Sequence, residues 1–356
     1  MSDVTVRPRR KRSPRLQDIA NEAGVSLNTV DRVLNERDSV SEATRELVLN
    51  AAKKLGIPRV LPQSHHGLIH IDLVLPRDPD HKPFYRRLRH ALQRSVQMLD
   101  RRVVVHRFIA AENDEDEIVR VILHPPYARK GLIIVAHETP QVREALQSAI
   151  GKGEHVVTVS SDISGIDRLH YAGIDNYRAG RTAGHFISRL TTRPGRVLIL
   201  CCTLAYRSHV DRTRGCRDAI AKAGAQLFCD PFDVETDDDP DRCFRALSRA
   251  FAEHDDIVAI YNSGAGSSGI EAALARAGVA DKVVWVTHEM SDDHKAYLEQ
   301  GTLDLVIDQD PDGQAISALQ HMLHACGVLE SAPPKGVTEF RLYCSENLRR
   351  EAYLAT

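Results

Sequence analysis

No stretch of this 356-residue chain approaches the ~18 consecutive apolar residues that a membrane span needs. No membrane partner is therefore expected. The opening "TVRPRRKRSPRL" has no apolar core of the kind a secretory signal carries, which predicts a cytoplasmic protein. Seven cysteines are present, Cys201 and Cys202 side by side, but none forms a CxxC pair. An odd, unpatterned set fits a reducing compartment better than a disulfide framework. Seventeen histidines occur without HExxH and without a Cys/His cluster at zinc spacing. "DDDPD", from Asp237 to Asp241, is acidic but lacks calcium-loop spacing. No Ser/His/Asp or paired-carboxylate arrangement is legible, so no catalytic residue, metal or cofactor is expected.

What the chain does have is an uneven charge. The formal net charge is only -2, yet residues 1–60 hold twelve Lys/Arg against eight Asp/Glu, and the rest holds 35 against 41. A basic head on an acidic body predicts that only the head meets a polyanion. The basic tail is either an inert solvated arm or an extra source of phosphate contacts.

The head reads as three short helices. Leu16, Ile19, Ala20 and Ala23 have helical spacing, and Gly24 suits the left-handed turn that ends a helix. Ser26 is placed to cap a second helix, whose inward stripe is Val30, Val33 and Leu34, with Asn28, Arg32 and Asn35 outward. A third helix follows Ser41, with Leu47, Val48, Ala51 and Leu55 inward. Two helices joined by a glycine turn, with a third in support, make a helix-turn-helix. Its second helix fits the major groove, where Arg bonds guanine edges and Asn adenine edges.

"LQDIANEAGVSLNTVDRVLNERDSVSEATRELVLNAAKKLG" resembles, without a gap from Leu16 to Gly56, the DNA-binding domain of the lactose-repressor/galactose-repressor (LacI/GalR) family. The resemblance implies base reading by Leu27, Asn28 and Arg32. It implies backbone contacts by Ser26, Thr29, Asn35, Ser41 and Thr44, a role compatible with helix capping. Asp31 departs from the family's common Ser, and either accepts from a cytosine amino group or braces a basic neighbour. The family's Asn-x-x-Ala-Arg-x-Leu hinge pattern is absent: "GIPRVLPQSHHG" follows, and Pro58 and Pro62 oppose a helix. Minor-groove wedging of that kind is not expected.

From Leu68 the rhythm changes. "LIHIDLVLP", "VVVHRFI", "GLIIVAH", "EHVVTVS", "GRVLILC", "AQLF", "DIVAIYNS" and "KVVWVTH" read as buried strands alternating with amphipathic helices. That order predicts an α/β body with parallel sheets, doubly wound in two lobes, and a ligand at the strands' carboxyl ends. The predicted organisation is a tail at 1–14, a helix-turn-helix at 15–57, a linker at 58–67 and a two-lobed effector domain at 68–356.

"AGIDNYRAGRTAGHFI", "DRTRGCRDAIAKAG" and "LVIDQDPDGQAISAL" resemble the same family's effector domain, which is like a periplasmic sugar-binding protein. By position this implies cleft roles for Arg212, Asn262, His288 and Gln309. "KPFY" resembles the aromatic wall of ribose-type binding proteins, so Phe84 or Tyr85 either stacks on a sugar ring or packs in the core. Asp162 and Asp175 end segments near the cleft, as hydroxyl acceptors or as turns and caps. Ser263 and His288 stand where relatives carry Asp. That loss of acceptors favours a phosphorylated or acidic sugar, or a polyol.

The resemblance implies a cytoplasmic repressor: a homodimer on a near-palindromic double-stranded operator, controlled by a sugar-like effector. One rival remains. "GAGSSG", Gly264 to Gly269, fits GxGxxG after a strand, and Glu289 lies 20 residues beyond. That spacing allows a dinucleotide-binding redox protein with a DNA-binding head.

Overall fold

The computed structural model describes residues 15–34, 40–55, 68–77, 82–99, 102–224, 226–231 and 233–353. The basic tail, the whole linker and Asn35 lie outside them. The chain divides into two compact units, 1–68 and 69–356.

The first unit holds α1 (Leu16–Ala23), α2 (Leu27–Leu34) and α3 (Glu42–Lys54). Gly24 ends α1 at φ 67°, a conformation a Cβ disfavours. Ile19, Ala20, Val30, Val33, Val48, Ala51 and Ala52 close one small core. Leu47, expected inward, is 55% exposed. The stripe that α3 buries is centred on Val48, and Leu47 is turned about 100° from it.

The second unit has two parallel sheets. In the first lobe β1 (Ile69–Pro76), β2 (Val103–Ala110), β3 (Gly131–Ile134), β4 (His155–Val159) and β5 (His170–Ala172) lie in the order β2-β1-β3-β4-β5. In the second, β6 (Gly195–Cys201), β7 (Leu227–Cys229), β8 (Val234–Glu235), β9 (Ile257–Asn262), β10 (Val284–His288), β11 (Leu305–Asp308) and β12 (Arg341–Tyr343) follow the path β12-β11-β10-β9-β6-β7, with β8 beside β6. Only β12 runs antiparallel among these pairs.

Helices cover both faces of each sheet, as parallel sheets require. α4 (Pro83–Val96) and α12 (Pro311–Ala325) pack on one face of the first sheet, α5 (Glu115–Leu123) and α6 (Pro140–Gly151) on the other. α7 (Asn176–Leu190) and α8 (Arg207–Ala223) cover one face of the second. α9 (Pro240–Glu253), α10 (Ser267–Ala277) and α11 (Asp292–Gln300) cover its other face. The chain crosses between lobes after β5, after β11 and again before β12, and the bridge Ile174–Thr338 ties two of these crossings.

One contact sets the site. α7 and α8 approach so closely that a Cβ on Gly180 would lie 1.9 Å from the Arg212 carbonyl oxygen, and one on Gly215 would lie 2.2 Å from that of Tyr177. Two glycines thus let α8 sink against α7, which fixes the origin of the Arg212 side chain.

Candidate functional site

In the head, the functional candidates lie on the outer face of α2. Val30 and Val33 anchor the helix, which leaves Asn28 and Arg32 exposed and Leu27 45% exposed. Thr29 and Asp31 are half-buried. Ser26 Oγ accepts the Thr29 N–H at 3.1 Å, and Ser41 Oγ accepts the Thr44 N–H at 3.3 Å, so both serines cap helices. The remaining N–H groups of each first turn stay available to an anion such as phosphate.

In the body, a cavity of about 430 Å³ opens at the carboxyl ends of the strands, between the lobes. The first lobe supplies Lys82, the start of α4 from Pro83 to Arg86, and Ser160 beyond β4. The second supplies Ser208, His209 and Arg212 from α8, Asp238, the turn Ser263–Ser268 after β9, and His288 and Glu289 at the end of β10. Gln309, at a crossing, completes the floor.

Ion pairs join the lobes across this space. Lys82 Nζ lies 2.8 Å from Glu112 in its own lobe and 3.1 Å from Asp238 in the other. Arg87, on α4, reaches Glu289 at 2.5 Å and Asp308 at 2.6 Å. Burial works against the Asp238 charge, but Lys82 beside it and the Ala265 N–H hold its carboxyl below the ordinary value. Burial, and then Asp308, push Glu289 well above its ordinary value.

Arg212 has a different setting. It is 3% exposed and donates to Asn176 Oδ1 at 2.7 Å, to the Ser263 carbonyl at 2.9 Å and to Gln309 Oε1. All three acceptors are neutral. The imidazoles nearby stay neutral too. Burial and then Arg212 lower His209 to about 3 and push His288 well below its ordinary value. His209 Nδ1 contacts Ser263 Oγ at 2.9 Å, and His288 Nε2 contacts the Tyr261 hydroxyl at 2.8 Å.

The structure brings Phe84, Tyr85, Arg212, Ser263, His288 and Gln309 to the cavity. Phe84 does so from within the core of the first lobe, its ring edge-on to Tyr85 at 5.3 Å. Three candidates fall elsewhere. Asp162 Oδ1 accepts from Thr158 Oγ1 and the Ile163 N–H, and Oδ2 pairs with Arg168 at 2.5 Å, so the carboxylate is consumed locally. Asn262 is fully buried behind the wall, where its amide braces the turn through Gly264 and Ala265. Asp175 caps α7 by accepting the Arg178 N–H.

Lys82, His209, Asp238 and Glu289 were missed as site residues. His209 was readable, being three residues before Arg212 and so on the same helical face. Asp238 hid inside "DDDPD", and Glu289 beside His288. The "GAGSSG" segment shapes the cavity wall: Gly264 and Gly266 line it, and a Cβ on Gly269 would lie 1.8 Å from the Pro240 carbonyl oxygen. Glu289, the acid that the motif would need for a ribose, instead bonds Arg87.

Comparison with known proteins agrees with this geometry. Residues 15–57 match the family of bacterial regulatory proteins, lacI family, and residues 79–327 match the periplasmic binding protein domain. The chain belongs to the periplasmic-binding-protein domain family in its body and carries a lacI-family helix-turn-helix domain as its head. It is 50% identical over 50 residues to the HTH-type transcriptional regulator RegA of Clostridium saccharobutylicum, covering 14% of itself and 15% of RegA. It is 26% identical over 214 residues to the HTH-type transcriptional regulator GalR of Escherichia coli (strain K12), 59% of each chain.

Among solved structures, GanP, a glucose-galactose binding protein from Geobacillus stearothermophilus, superposes with TM-score 0.69 at 20% identity, over 79% of this chain and 98% of GanP. A solute-binding protein from Bacillus halodurans with bound myo-inositol gives TM-score 0.70 at 16% identity, over 80% and 97%. At such identities the likeness establishes the fold of the body.

Proposed function

We propose that this protein is a sequence-specific DNA-binding transcriptional regulator, acting as a repressor whose operator affinity is set by a small polyhydroxylated effector. The observation that carries the reading is the union, in one chain, of an exposed capped α2 with a buried polar cavity between two lobes. Leu27, Asn28 and Arg32 read base edges, and Ser26, Thr29, Ser41 and Thr44 hold the phosphate backbone. Two such heads in a cytoplasmic homodimer address the half-sites of a near-palindrome.

The effector occupies the cavity and contacts Phe84, Tyr85, Arg212, Ser263, His288 and Gln309. Its hold on DNA equals its differential affinity for the two arrangements of the lobes. The chain itself performs no chemistry on the effector. The glucose-galactose binding of one solved relative and the bound myo-inositol of another support a carbohydrate-like class.

The test is operator selection from random duplexes with the full-length protein, then titration of the selected duplex by fluorescence anisotropy at rising salt. Enrichment of a near-palindrome, with affinity falling as salt rises, is expected. Uniform recovery of unrelated duplexes sinks the reading.

A further inference from the structure

We propose that the effector is an anion, a polyhydroxylated carboxylate or phosphate whose charged group seats on Arg212 at the amino end of α10. The proposal rests on the effector-binding reading above and names the chemistry of that same cavity.

Four basic side chains are deeply buried among the described residues of the body: Lys82, Arg87, Arg129 and Arg212. Arg129 pairs with Asp72 and Glu154, Lys82 with Glu112 and Asp238, and Arg87 with Glu289, Asp308 and Asp312. Ion pairing is what offsets the cost of burying those three charges. Arg212 is equally buried but bonds only an amide oxygen, a carbonyl and a second amide oxygen. A guanidinium has five N–H donors and remains a cation in proteins. Three are used here, which leaves one on each terminal nitrogen, in a side chain that lines the cavity.

Two further features surround it. α10 begins at the cavity with Gly266 as N-cap at φ 86° and no side-chain cap; the Gly269 N–H bonds the Gly266 carbonyl, and the Ser267 and Ser268 N–H groups are left for a ligand. His288 is 2% exposed and lines the same cavity, and its Nδ1 has no partner. Among the described residues no carboxylate lies within ion-pair distance of Arg212. Asp238 and Glu289 pair with Lys82 and Arg87, one Glu289 oxygen is left unpartnered and acts on Arg212 from farther away, and Asp292 and Asp293 are exposed to solvent. A cation without an ion pair, two open helix N–H groups and an orphaned imidazole nitrogen form an anion receptor. A neutral sugar would occupy the donors without supplying an ion pair.

The experiment is titration calorimetry of the full-length chain with matched pairs. Glucose is set against gluconate and glucose 6-phosphate, and myo-inositol against an inositol monophosphate, at low and high salt. One anion is expected to bind about tenfold to a hundredfold more tightly than its neutral partner, the usual worth of a charge-assisted bond. Salt should narrow that gap. The carboxylate and phosphate arms tell the two sources apart.

Arg212→Gln should erase the preference while the far-ultraviolet dichroism stays that of the parent. If Arg212→Gln does not fold, the matched pairs on the parent still decide. A neutral member that binds as tightly as its anion overturns the proposal. So does a full anion preference in Arg212→Gln, or a panel in which nothing binds. Operator affinity measured in the same samples separates the two readings. A neutral ligand that alters DNA binding sinks the anion and keeps the regulator. An anion that binds without altering DNA affinity does the reverse.

Discussion

The outer face of α2 and the interlobe cavity both use arginine, in opposite ways. Arg32 stands exposed in the last turn of a short helix anchored by Val30 and Val33 on its opposite face. Arg212 and Arg87 are 3% and 7% exposed, and each is bonded to groups from several elements. Exposed groups are solvated with or without DNA, so the head's readers can change with little effect on the fold. Buried groups are solvated only by their neighbours, so each residue of the cavity is also part of the structure.

Breaking the Arg87 cluster should give the largest effect. Arg87→Ala leaves Glu289 and Asp308 buried without their cation and should cost ~3–5 kcal/mol by denaturant unfolding. Arg94→Ala removes an exposed partner of Asp312, 61% and 41% exposed, and should cost less than about 1 kcal/mol. Equal losses in the two variants would erase the contrast between buried and exposed charge.

Next comes acid. His209 is lowered from 6.5 to about 3 by burial and then by Arg212, so it stays neutral in the folded body while the unfolded chain takes up a proton. Its stabilising effect is complete above pH 6.5 and is lost as pH falls toward 3, by up to about 1.4 kcal/mol per pH unit. Glu289, raised by burial and then by Asp308, works in the opposite sense. Melting curves of the parent and of His209→Gln across this range check the sign. Parallel curves would show that His209 does not titrate on unfolding.

Arg32→Ala sharpens the comparison from the other side. It should cost ~1–3 kcal/mol of operator affinity and relax one base pair, with an unchanged melting temperature. Parental affinity would remove Arg32 from the readers. A smaller effect than that of the Arg87 cluster belongs to Ser26→Ala, which deletes the α2 cap and should destabilise the head within the full-length chain by ~0.5–2 kcal/mol. The body's transition should not move.

The sequence was most readable where spacing alone fixes position. The head's three helices, the glycine turn and the two serine caps follow from local pattern and capping chemistry. The eight strands expected in the body are all present, although β7 is three residues long and none of the three is buried. β5, β8 and β12 are two or three residues long and show no apolar run, and β11 lies inside "LVIDQDPDGQAISAL", the stretch that carries the family resemblance. Gly180 and Gly215 gave no signal of their own, because their role appears only where two helices meet.

A groove-sized helix with its outward residues, an alternating α/β body and the stretches that carry the family resemblance are all legible along the chain. These follow from local periodicity and capping, which act over a few residues. Packing in three dimensions is what leaves Asp162 consumed by Thr158 and Arg168, sets Asn262 to brace a turn and brings Lys82 to Asp238. It alone showed Arg87 matched by carboxylates more than 200 residues away, and Arg212 matched by none. Charge compensation in a buried site is a sum over neighbours in space, and a linear chain does not state who those neighbours are.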